Sequence, residues 1–156
     1  MDILKNYDKL SDKHCIEYIN FLCENDIHFS ILCDFTSVSF DPILPEEISN
    51  KFSPLIWFIL AGYTFESIKS FQDLITFEAG FGQDNIGSIV TVLIKGIMQI
   101  IIKSKRDEDI ILFNRYALDT ILEIKNTDSI QDSMEAILSN PKNRKIIKNL
   151  QKNSKN

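Results

Sequence analysis

The feature that most constrains this sequence is a segment of alternating polarity, residues 74–81, that leads through a turn into a second β-rich segment. The apolar residues of this alternation are Ile75, Phe77, Ala79 and Phe81. Since successive side chains of a strand point to opposite faces, the alternation predicts a strand with one apolar face. Residues 82–87 (Gly-Gln-Asp-Asn-Ile-Gly) are typical of a turn, and residues 88–93 again predict a strand. The sequence therefore predicts a β-hairpin with a loop of several residues.

A helix and further strands are predicted on the N-terminal side of this hairpin. The apolar pattern predicts a helix that begins near Leu10, is capped by Ser11 and ends at residues 24–26. Residues 28–35 are mostly apolar and rich in β-forming residues, which predicts a strand. A short strand is predicted at residues 38–40.

The remaining segments predict a mixture of strands and short helices. Residues 45–48 predict one helical turn that starts with proline. Residues 55–61 are apolar on both parities, which predicts a central strand covered on both faces. A helix turn or a bend is expected after Lys95 and Gly96. A last strand is predicted at residues 110–113 and a helix at residues 128–139. Two segments, 63–71 and 116–125, do not distinguish helix from strand.

Composition places the chain among ordinary globular proteins. Its 156 residues predict one domain with tails, and 44% hydrophobic residues suffice for a core. Eleven phenylalanines against one tryptophan favour strands in that core. Five glycines leave little room for a glycine-rich phosphate cradle.

Charge and hydropathy restrict the partners. The net charge is −5, but residues 141–156 hold six basic residues and no acid, so residues 1–140 carry −11. An acidic body is repelled by phosphate backbones, so we expect no nucleic-acid partner for it. The basic tail fits a nucleic acid, an acidic lipid surface or a protein partner, or it is a solvated terminus. The most apolar stretch, residues 89–102, is about two-thirds of a membrane span and contains Lys95 and Gln99, so no membrane-spanning segment is expected.

Residues that carry chemistry lack the spacing that catalysis needs. The sequence has an odd number of cysteines (Cys15, Cys23 and Cys33), and we expect no signal peptide before them. Both observations predict free thiols and a cytoplasmic protein. His14 and His28 lie in different predicted elements without ligand-spaced neighbours, so no metal site is expected. The Gly-Phe-Gly of residues 80–82 leads into a strand rather than a helix, which argues against a dinucleotide site. We expect no catalytic residues and no cofactor, and therefore a binding or structural protein rather than an enzyme.

The order of these segments resembles the SspB family, the stringent starvation protein B adaptors that deliver tagged polypeptides to the ClpXP protease. The most specific part is residues 74–82 (Leu-Ile-Thr-Phe-Glu-Ala-Gly-Phe-Gly), which is similar to the family's strand Phe-x-Ala-Arg-Phe-Gly. The resemblance extends over residues 12–113 and includes segments 18–25, 29–35, 56–61 and 89–100. Two positions depart from the family's pattern, since Gly80 stands where arginine is usual and Leu93 where proline is common.

The resemblance implies an α+β, mainly β fold. An N-terminal helix would precede a small SspB/Sm-like antiparallel β-barrel, followed by a C-terminal helical extension. The implied boundaries are an N-terminal segment at residues 1–11, the SspB-like domain at 12–115, the helical extension at 116–140 and the basic tail at 141–156.

The resemblance also implies a non-enzymatic adaptor that binds ssrA-tagged polypeptides and delivers them to the ClpX unfoldase. The implied peptide-binding residues are Phe58, Leu60, Ala61, Phe77, Ala79, Phe81 and Gly82, with plain core packing as the alternative for each phenylalanine. A homodimer contact is implied at Tyr18, Phe21 and Leu22, with packing on their own sheet as the alternative. The implied ClpX-docking residues are Arg144, Lys145, Ile146, Ile147 and Lys148.

Two other classes of function stay open at this point. An Sm-like RNA-binding protein would use the basic tail, and its affinity would fall steeply with salt. A structural or assembly protein would act through the predicted helix at residues 128–139. Deleting residues 128–156 separates the classes, because an adaptor keeps tag binding and loses delivery, whereas an assembly protein loses its complex.

Overall fold

Within residues 2–123, the part of the chain that this computed structural model describes, one long helix precedes eight strands. The helices are α1 Ile3–Glu24, α2 Glu46–Ser49, α3 Gly62–Glu66 and α4 Leu118–Ile121. The strands are β1 Phe29–Asp34, β2 Val38–Asp41, β3 Leu55–Leu60, β4 Lys69–Ser70, β5 Leu74–Phe81, β6 Ile86–Leu93, β7 Ile97–Lys103 and β8 Asp109–Asn114. Two 3₁₀ turns, Phe35–Ser37 and Ile94–Gly96, lie between strands.

The described residues fall into two compact units. Lys5–Tyr116 is the larger unit and contains all eight strands, and α4 belongs to the smaller unit. In α4, the N–H of Leu122 donates to the carbonyl of Leu118 at 2.8 Å. The described part of segment 116–125, which the sequence left open between helix and strand, therefore contains one short helix.

Helix α1 begins seven residues before the predicted start at Leu10. The carboxylate of Asp2 accepts a hydrogen bond from the N–H of Leu4 at 3.0 Å, as an N-cap residue does. The prediction that Ser11 caps the helix is wrong, since Ser11 is buried on the inner face of α1. Ile3 and Leu10 are exposed, so the first turns show no apolar periodicity that could reveal them.

The strands form two four-stranded antiparallel sheets. The first sheet has the order β3-β1-β7-β8 and the second has the order β2-β6-β5-β4. The predicted α+β, mainly β fold with an N-terminal helix is therefore confirmed, but the closed barrel is not found. A barrel needs a hydrogen-bonded ladder that returns to its first strand. Within residues 2–123 the ladders end instead at four edge strands, β3, β8, β2 and β4.

Among residues 2–123 the chain passes from one sheet to the other four times, and two of these passages are the 3₁₀ turns, one between β1 and β2 and one between β6 and β7. These turns lie against each other, and we call the place where they meet the turn crossing (Phe35–Ser37 and Ile94–Gly96). Gly96 is buried there, and a Cβ atom at this position would overlap the side chain of Ser37. Glycine is therefore required by the close approach of the two turns.

Arg115, just after β8, binds the turn crossing from one side. Its side chain is only 11% exposed and forms an ion pair with Asp12 of α1 at 2.9 Å. It also donates to the carbonyl oxygens of Ile97 at 2.9 Å and Ile94 at 3.1 Å. The guanidinium carbon lies 5.5 Å from the centre of the Phe113 ring. One side chain thus joins α1, the second 3₁₀ turn and the start of β7.

The core is built from the inner faces of α1 and of strands from both sheets. Its fully buried side chains include Ile19, Ile31, Leu60, Phe77 and Ile100. Burying aromatic and branched side chains of this size contributes about 1.5–3 kcal/mol each to folding.

Strand β3 differs from its prediction as a central strand covered on both faces. It is an edge strand that pairs only with β1 among the described residues, in the register Ile31↔Phe58. Alternate residues are buried, while Leu55, Trp57 and Ile59 are exposed. Apolar residues on both parities therefore did not mean that both faces are covered.

The other local predictions in the described region are confirmed. The hairpin pairs β5 with β6 in the register Phe77↔Val90, and β1, β2, α2, the bend at Lys95 and β8 lie where the sequence predicts them. None of the helices within residues 2–123 is both long and apolar enough to cross a membrane.

Candidate functional site

A groove with a volume of about 530 Å³ lies over the exposed face of the β5–β6 hairpin. We call it the hairpin groove. The hairpin supplies its floor, and the end of β2 and the start of α3 supply its walls. Its lining residues are Asp41, Pro42, Tyr63, Thr64, Glu78, Ala79, Gly80, Asn85, Gly87, Ser88 and Ile89.

Two paired glycines form the middle of the floor. Gly80 of β5 lies directly opposite Gly87 of β6, and both are exposed. Nothing lies within 4 Å of the place where a Cβ atom of Gly87 would be. At Gly80 that place is taken by the side-chain amide oxygen of Asn85. The face of the hairpin is therefore open at Gly87, where another backbone can approach closely, whereas Asn85 covers the face of Gly80.

The edge of β5 beside the groove has main-chain groups without a neighbouring strand. β4 pairs only with Ile75 and Thr76, so this edge has no ladder partner beyond Thr76 within the described region. The N–H of Glu78 points out of this edge, because it donates to the hydroxyl of Ser67 at 2.8 Å. Main-chain groups alternate in direction along a strand, so the N–H and C=O of Gly80 face the same open edge.

Tyr63 and Glu78 form the wall on the α3 side. The phenol of Tyr63 donates a hydrogen bond to the carboxylate of Glu78. This hydrogen bond, together with the negative charge of Glu78, raises the pKa of the Tyr63 phenol. The phenol therefore stays protonated at neutral pH and continues to donate. The bond ties the start of α3 to β5 and fixes the width of the groove.

The opposite wall is the end of β2. Asp41 pairs with Ile89 of β6, and the carbonyl of Pro42 accepts a hydrogen bond from the Ser88 hydroxyl at 2.9 Å. Ser88 is buried, so this bond anchors the wall from below. Both walls are thus attached to the hairpin that forms the floor.

The charged side chains that line the groove are all negative. Asp41 and Glu78 are acidic, and no lysine, arginine or histidine is among the lining residues. The polar neutral groups are those of Tyr63, Thr64, Asn85 and Ser88. The groove is therefore acidic, with hydrogen-bonding groups around an open main chain.

The structure separates the seven predicted peptide-binding residues. Phe58, Leu60 and Phe77 are buried in the core, where the rings of Phe58 and Phe77 lie 5.2 Å apart. Phe81 is half-buried and its ring meets that of Phe40 edge to face at 5.4 Å. For these phenylalanines the burial favours the alternative, plain core packing.

The other predicted peptide-binding residues lie nearer the surface. Ala79 is half-buried and lines the groove, while Ala61 and Gly82 are exposed outside its lining. Sequence reasoning chose the apolar parity of β5, but the groove lies over the polar parity, which carries Glu78 and Gly80. It missed Asp41, Tyr63, Glu78, Asn85 and Gly87 as site residues. Two glycines on matching parities of a predicted hairpin were the signal that could have revealed the floor.

The predicted dimer residues do not share one environment. Tyr18 and Phe21 are 39% and 56% exposed, whereas Leu22 is buried in the core. His14 and Glu17 lie on the same exposed side of α1, and these four residues line a shallow surface pocket of about 480 Å³. The ring of Tyr18 lies 6.4 Å from that of Phe113. Of the three predicted dimer residues, only Tyr18 and Phe21 are therefore available to a partner on this helix face.

The predicted ClpX-docking residues Arg144, Lys145, Ile146, Ile147 and Lys148 and the predicted helix at 128–139 lie outside the described residues. The three cysteines are free thiols. Burial raises the pKa of the Cys15 thiol to about 12 and raises the pKa values of Cys33 and Cys23 as well, so none is an activated nucleophile. Among residues 2–123, no group of three histidine, cysteine, aspartate or glutamate side chains is placed to hold a metal ion.

No protein-family model matches this chain, and no curated protein sequence matches it. The described residues themselves define an α+β protein, mainly β, with two antiparallel sheets and an open acidic groove over one hairpin.

Proposed function

We propose that this protein is a non-enzymatic adaptor that binds ssrA-type degradation tags in the hairpin groove and delivers the tagged polypeptides to the ClpXP protease. The observation that carries the proposal is the open floor of the groove at Gly87 together with the free edge of β5 at Gly80. The resemblance of residues 12–113 to the SspB family adds the identity of the tag and of the protease.

The mode of binding follows from the main chain. An extended peptide adds a strand beside β5, and its backbone pairs with the N–H and C=O of Gly80. The side-chain amide of Asn85 and the wall at Tyr63 then contact the peptide side chains. Such main-chain pairing gives affinity with little demand on sequence, and the walls give the selectivity.

The aromatic core behind the floor supports this mode. Phe77 and Phe81 of β5 pack against Phe58 and Phe40 under the groove. A strand held in this way loses little conformational freedom when a peptide binds, which reduces the free-energy cost of association. The predicted phenylalanines thus act indirectly, by keeping the floor rigid.

Fluorescence anisotropy with a labelled ssrA-type tag peptide tests the binding step. Gly87→Trp places a large side chain on the open floor, and we expect it to weaken binding by at least about tenfold. Ile111→Trp is the matched control, because Ile111 is 53% exposed on β8 in the other sheet. The control should bind like the parent protein. Equal binding by both variants, or no binding by the parent, contradicts the proposal.

Delivery is proposed to need the basic tail. With residues 128–156 deleted, we expect tag affinity to be retained and ClpXP degradation of a tagged substrate to lose its stimulation. If the deletion abolishes tag binding itself, the tail is part of the tag site and the proposed division of roles fails. A steep loss of affinity for RNA with increasing salt would favour the RNA-binding alternative instead.

The exposed aromatic face of α1 supports a homodimer. Tyr18 and Phe21 are large apolar side chains in contact with solvent, as is common for residues that pack in an interface. Two tails on one dimer raise the effective concentration of the second docking event on an oligomeric unfoldase. Sedimentation of Phe21→Asp compared with the parent protein tests this, and an unchanged mass contradicts the dimer.

A further inference from the structure

The charge of the hairpin groove restricts the peptides that fit it. Glu78 and Asp41 stand on opposite walls, and no basic side chain lines the space between them. A carboxylate brought into this space meets two like charges, while an ammonium or guanidinium group meets two opposite ones. The backbone of a bound peptide pairs with the free edge at Gly80. The charges of the groove therefore act on the side chains of the peptide.

The register at Gly80 identifies which peptide side chain is affected. In an added strand, the residue directly opposite Gly80 points its side chain to the same face as Glu78 and Gly80, with its Cβ about 5 Å from the neighbouring strand's position. Glu78 is then a diagonal neighbour, within reach of a long side chain. Gly80 contributes no side chain, and the side-chain amide of Asn85 lies over it. The methylene groups of such a residue therefore run beside Asn85 toward Glu78.

The carboxylate of Glu78 is available to a cation. It accepts one hydrogen bond from Tyr63, and a carboxylate has about four acceptor sites. Tyr63 also fixes its position beside Gly80, which reduces the cost of ordering it when a cation binds. No ion pair of Glu78 or Asp41 with a basic residue is present in the described part of the chain.

We propose, resting on the function proposed above, that the groove selects extended peptides with lysine or arginine opposite Gly80 and rejects those with aspartate or glutamate there. The substrate class is therefore a tag or chain end with a cationic side chain in its bound segment. The main-chain hydrogen bonds of Gly80 position the peptide, and Glu78 on β5 interacts with the charge of its side chain. Asp41 lies two strands away, on β2 beyond β6, and adds only to the negative potential of the groove.

Three synthetic peptide pools test the selectivity with the full-length protein. The pools have a central Lys, Gln or Glu and identical flanks randomised among small and aliphatic residues. We expect the Lys pool to bind about fivefold more tightly than the Gln pool, and the Glu pool to bind about fivefold more weakly, as one partly exposed charge pair permits. High salt should reduce both differences, because it screens exposed charges.

Variants of the groove assign the effect to Glu78. Glu78→Gln should remove most of the preference for Lys, and Glu78→Lys should reverse it in favour of the Glu pool. Glu66→Gln is the matched control, since Glu66 is exposed on α3 and does not line the groove. The control should keep the full preference of the parent protein.

The outcomes distinguish this inference from the proposed function. Equal binding of all three pools overturns the charge selectivity and leaves the peptide-binding function standing. If the parent protein binds none of the three pools, both the charge selectivity and the peptide-binding function are overturned. If Glu78→Gln keeps the preference for the Lys pool, another residue causes the charge selectivity, and its assignment to Glu78 is overturned.

Discussion

Two parts of the larger unit, the turn crossing and the hairpin groove, use glycine in opposite ways. Gly96 is buried at the turn crossing, where any side chain would overlap Ser37. Gly87 is exposed on the floor of the groove, where a side chain would meet nothing within 4 Å. The first glycine lets the protein pack against itself, and the second leaves room for another molecule. We infer that stability is concentrated at the turn crossing and binding at the groove.

The largest expected effect is in the reactivity of the thiols near the turn crossing, since no cysteine lines the hairpin groove. Cys15 and Cys33 are fully buried near the turn crossing, and burial raises the pKa of Cys15 from 9.0 to about 12. The thiolate fraction at a fixed neutral pH is then about a thousandfold lower than in the unfolded chain. We expect iodoacetamide, followed by mass spectrometry, to modify Cys15 at least that much more slowly in the native protein than in urea. Equal rates in the two conditions contradict the buried placement.

The same shift predicts how stability depends on pH. Because the native pKa of Cys15 is the higher one, the unfolded chain loses this proton first as pH rises. The contribution of the group to stability is complete below about pH 9 and is lost as pH rises toward 12. Urea denaturation at increasing alkaline pH should show this decline, and Cys15→Ala should make its slope shallower.

Removing the arginine at the turn crossing should cost the most stability of any single change outside the core. Arg115→Met keeps the apolar stem but removes the ion pair with Asp12 and the hydrogen bonds to the carbonyls of Ile97 and Ile94, of which the Ile94 carbonyl keeps the N–H of Ile97. We expect the free energy of unfolding to fall by about 3 kcal/mol, as measured by urea denaturation. Arg106→Met in the exposed β7–β8 turn is the control and should change it by less than about 0.5 kcal/mol.

Replacing each glycine by alanine should distinguish Gly96 from Gly87 by the loss of unfolding free energy. Gly96→Ala forces a Cβ atom against Ser37, and we expect a loss of about 2 kcal/mol of unfolding free energy. Gly87→Ala is the matched change and should alter it by less than about 0.5 kcal/mol. The double variant Ser37→Gly with Gly96→Ala should recover part of the loss. If Gly96→Ala and Gly87→Ala are equally stable, the close approach at the turn crossing is wrong.

The smallest effect is expected in the wall of the groove. The hydrogen bond and charge of Glu78 raise the pKa of the Tyr63 phenol. In Glu78→Gln this pKa should move back toward its ordinary value, as followed by NMR titration of the tyrosine ring. The other tyrosines should titrate as before, which makes them the internal control. An unchanged Tyr63 titration means that the wall is not closed by this bond.

Local patterns predicted most of the described elements because their signals are contained within a few residues. The alternation around Phe77 and the turn residues before Gly87 specify the β5–β6 hairpin without help from the rest of the chain. The start of α1 was missed because its first turns are solvated and their cap, Asp2, precedes any apolar repeat.

Properties that depend on distant segments could not be predicted in the same way. β3 is apolar on both parities, and only the order of the strands decides that Trp57 faces solvent. The groove joins Asp41, Tyr63 and Gly80 from three separate segments, so no spacing in the sequence announces it. Its charge could be read only after these residues were brought together.

The exposed edge strand β3 has a consequence for the behaviour of concentrated protein. Its six residues, Leu55–Leu60, carry no charge and no proline, and its outer edge is unpaired within residues 2–123. Natural sheets usually protect such an edge with lysine, proline or a bulge, because bare edges recruit further strands. Self-association into amyloid-like stacks should therefore begin at this strand, and a single lysine in place of Ile59 would act as a gatekeeper against it.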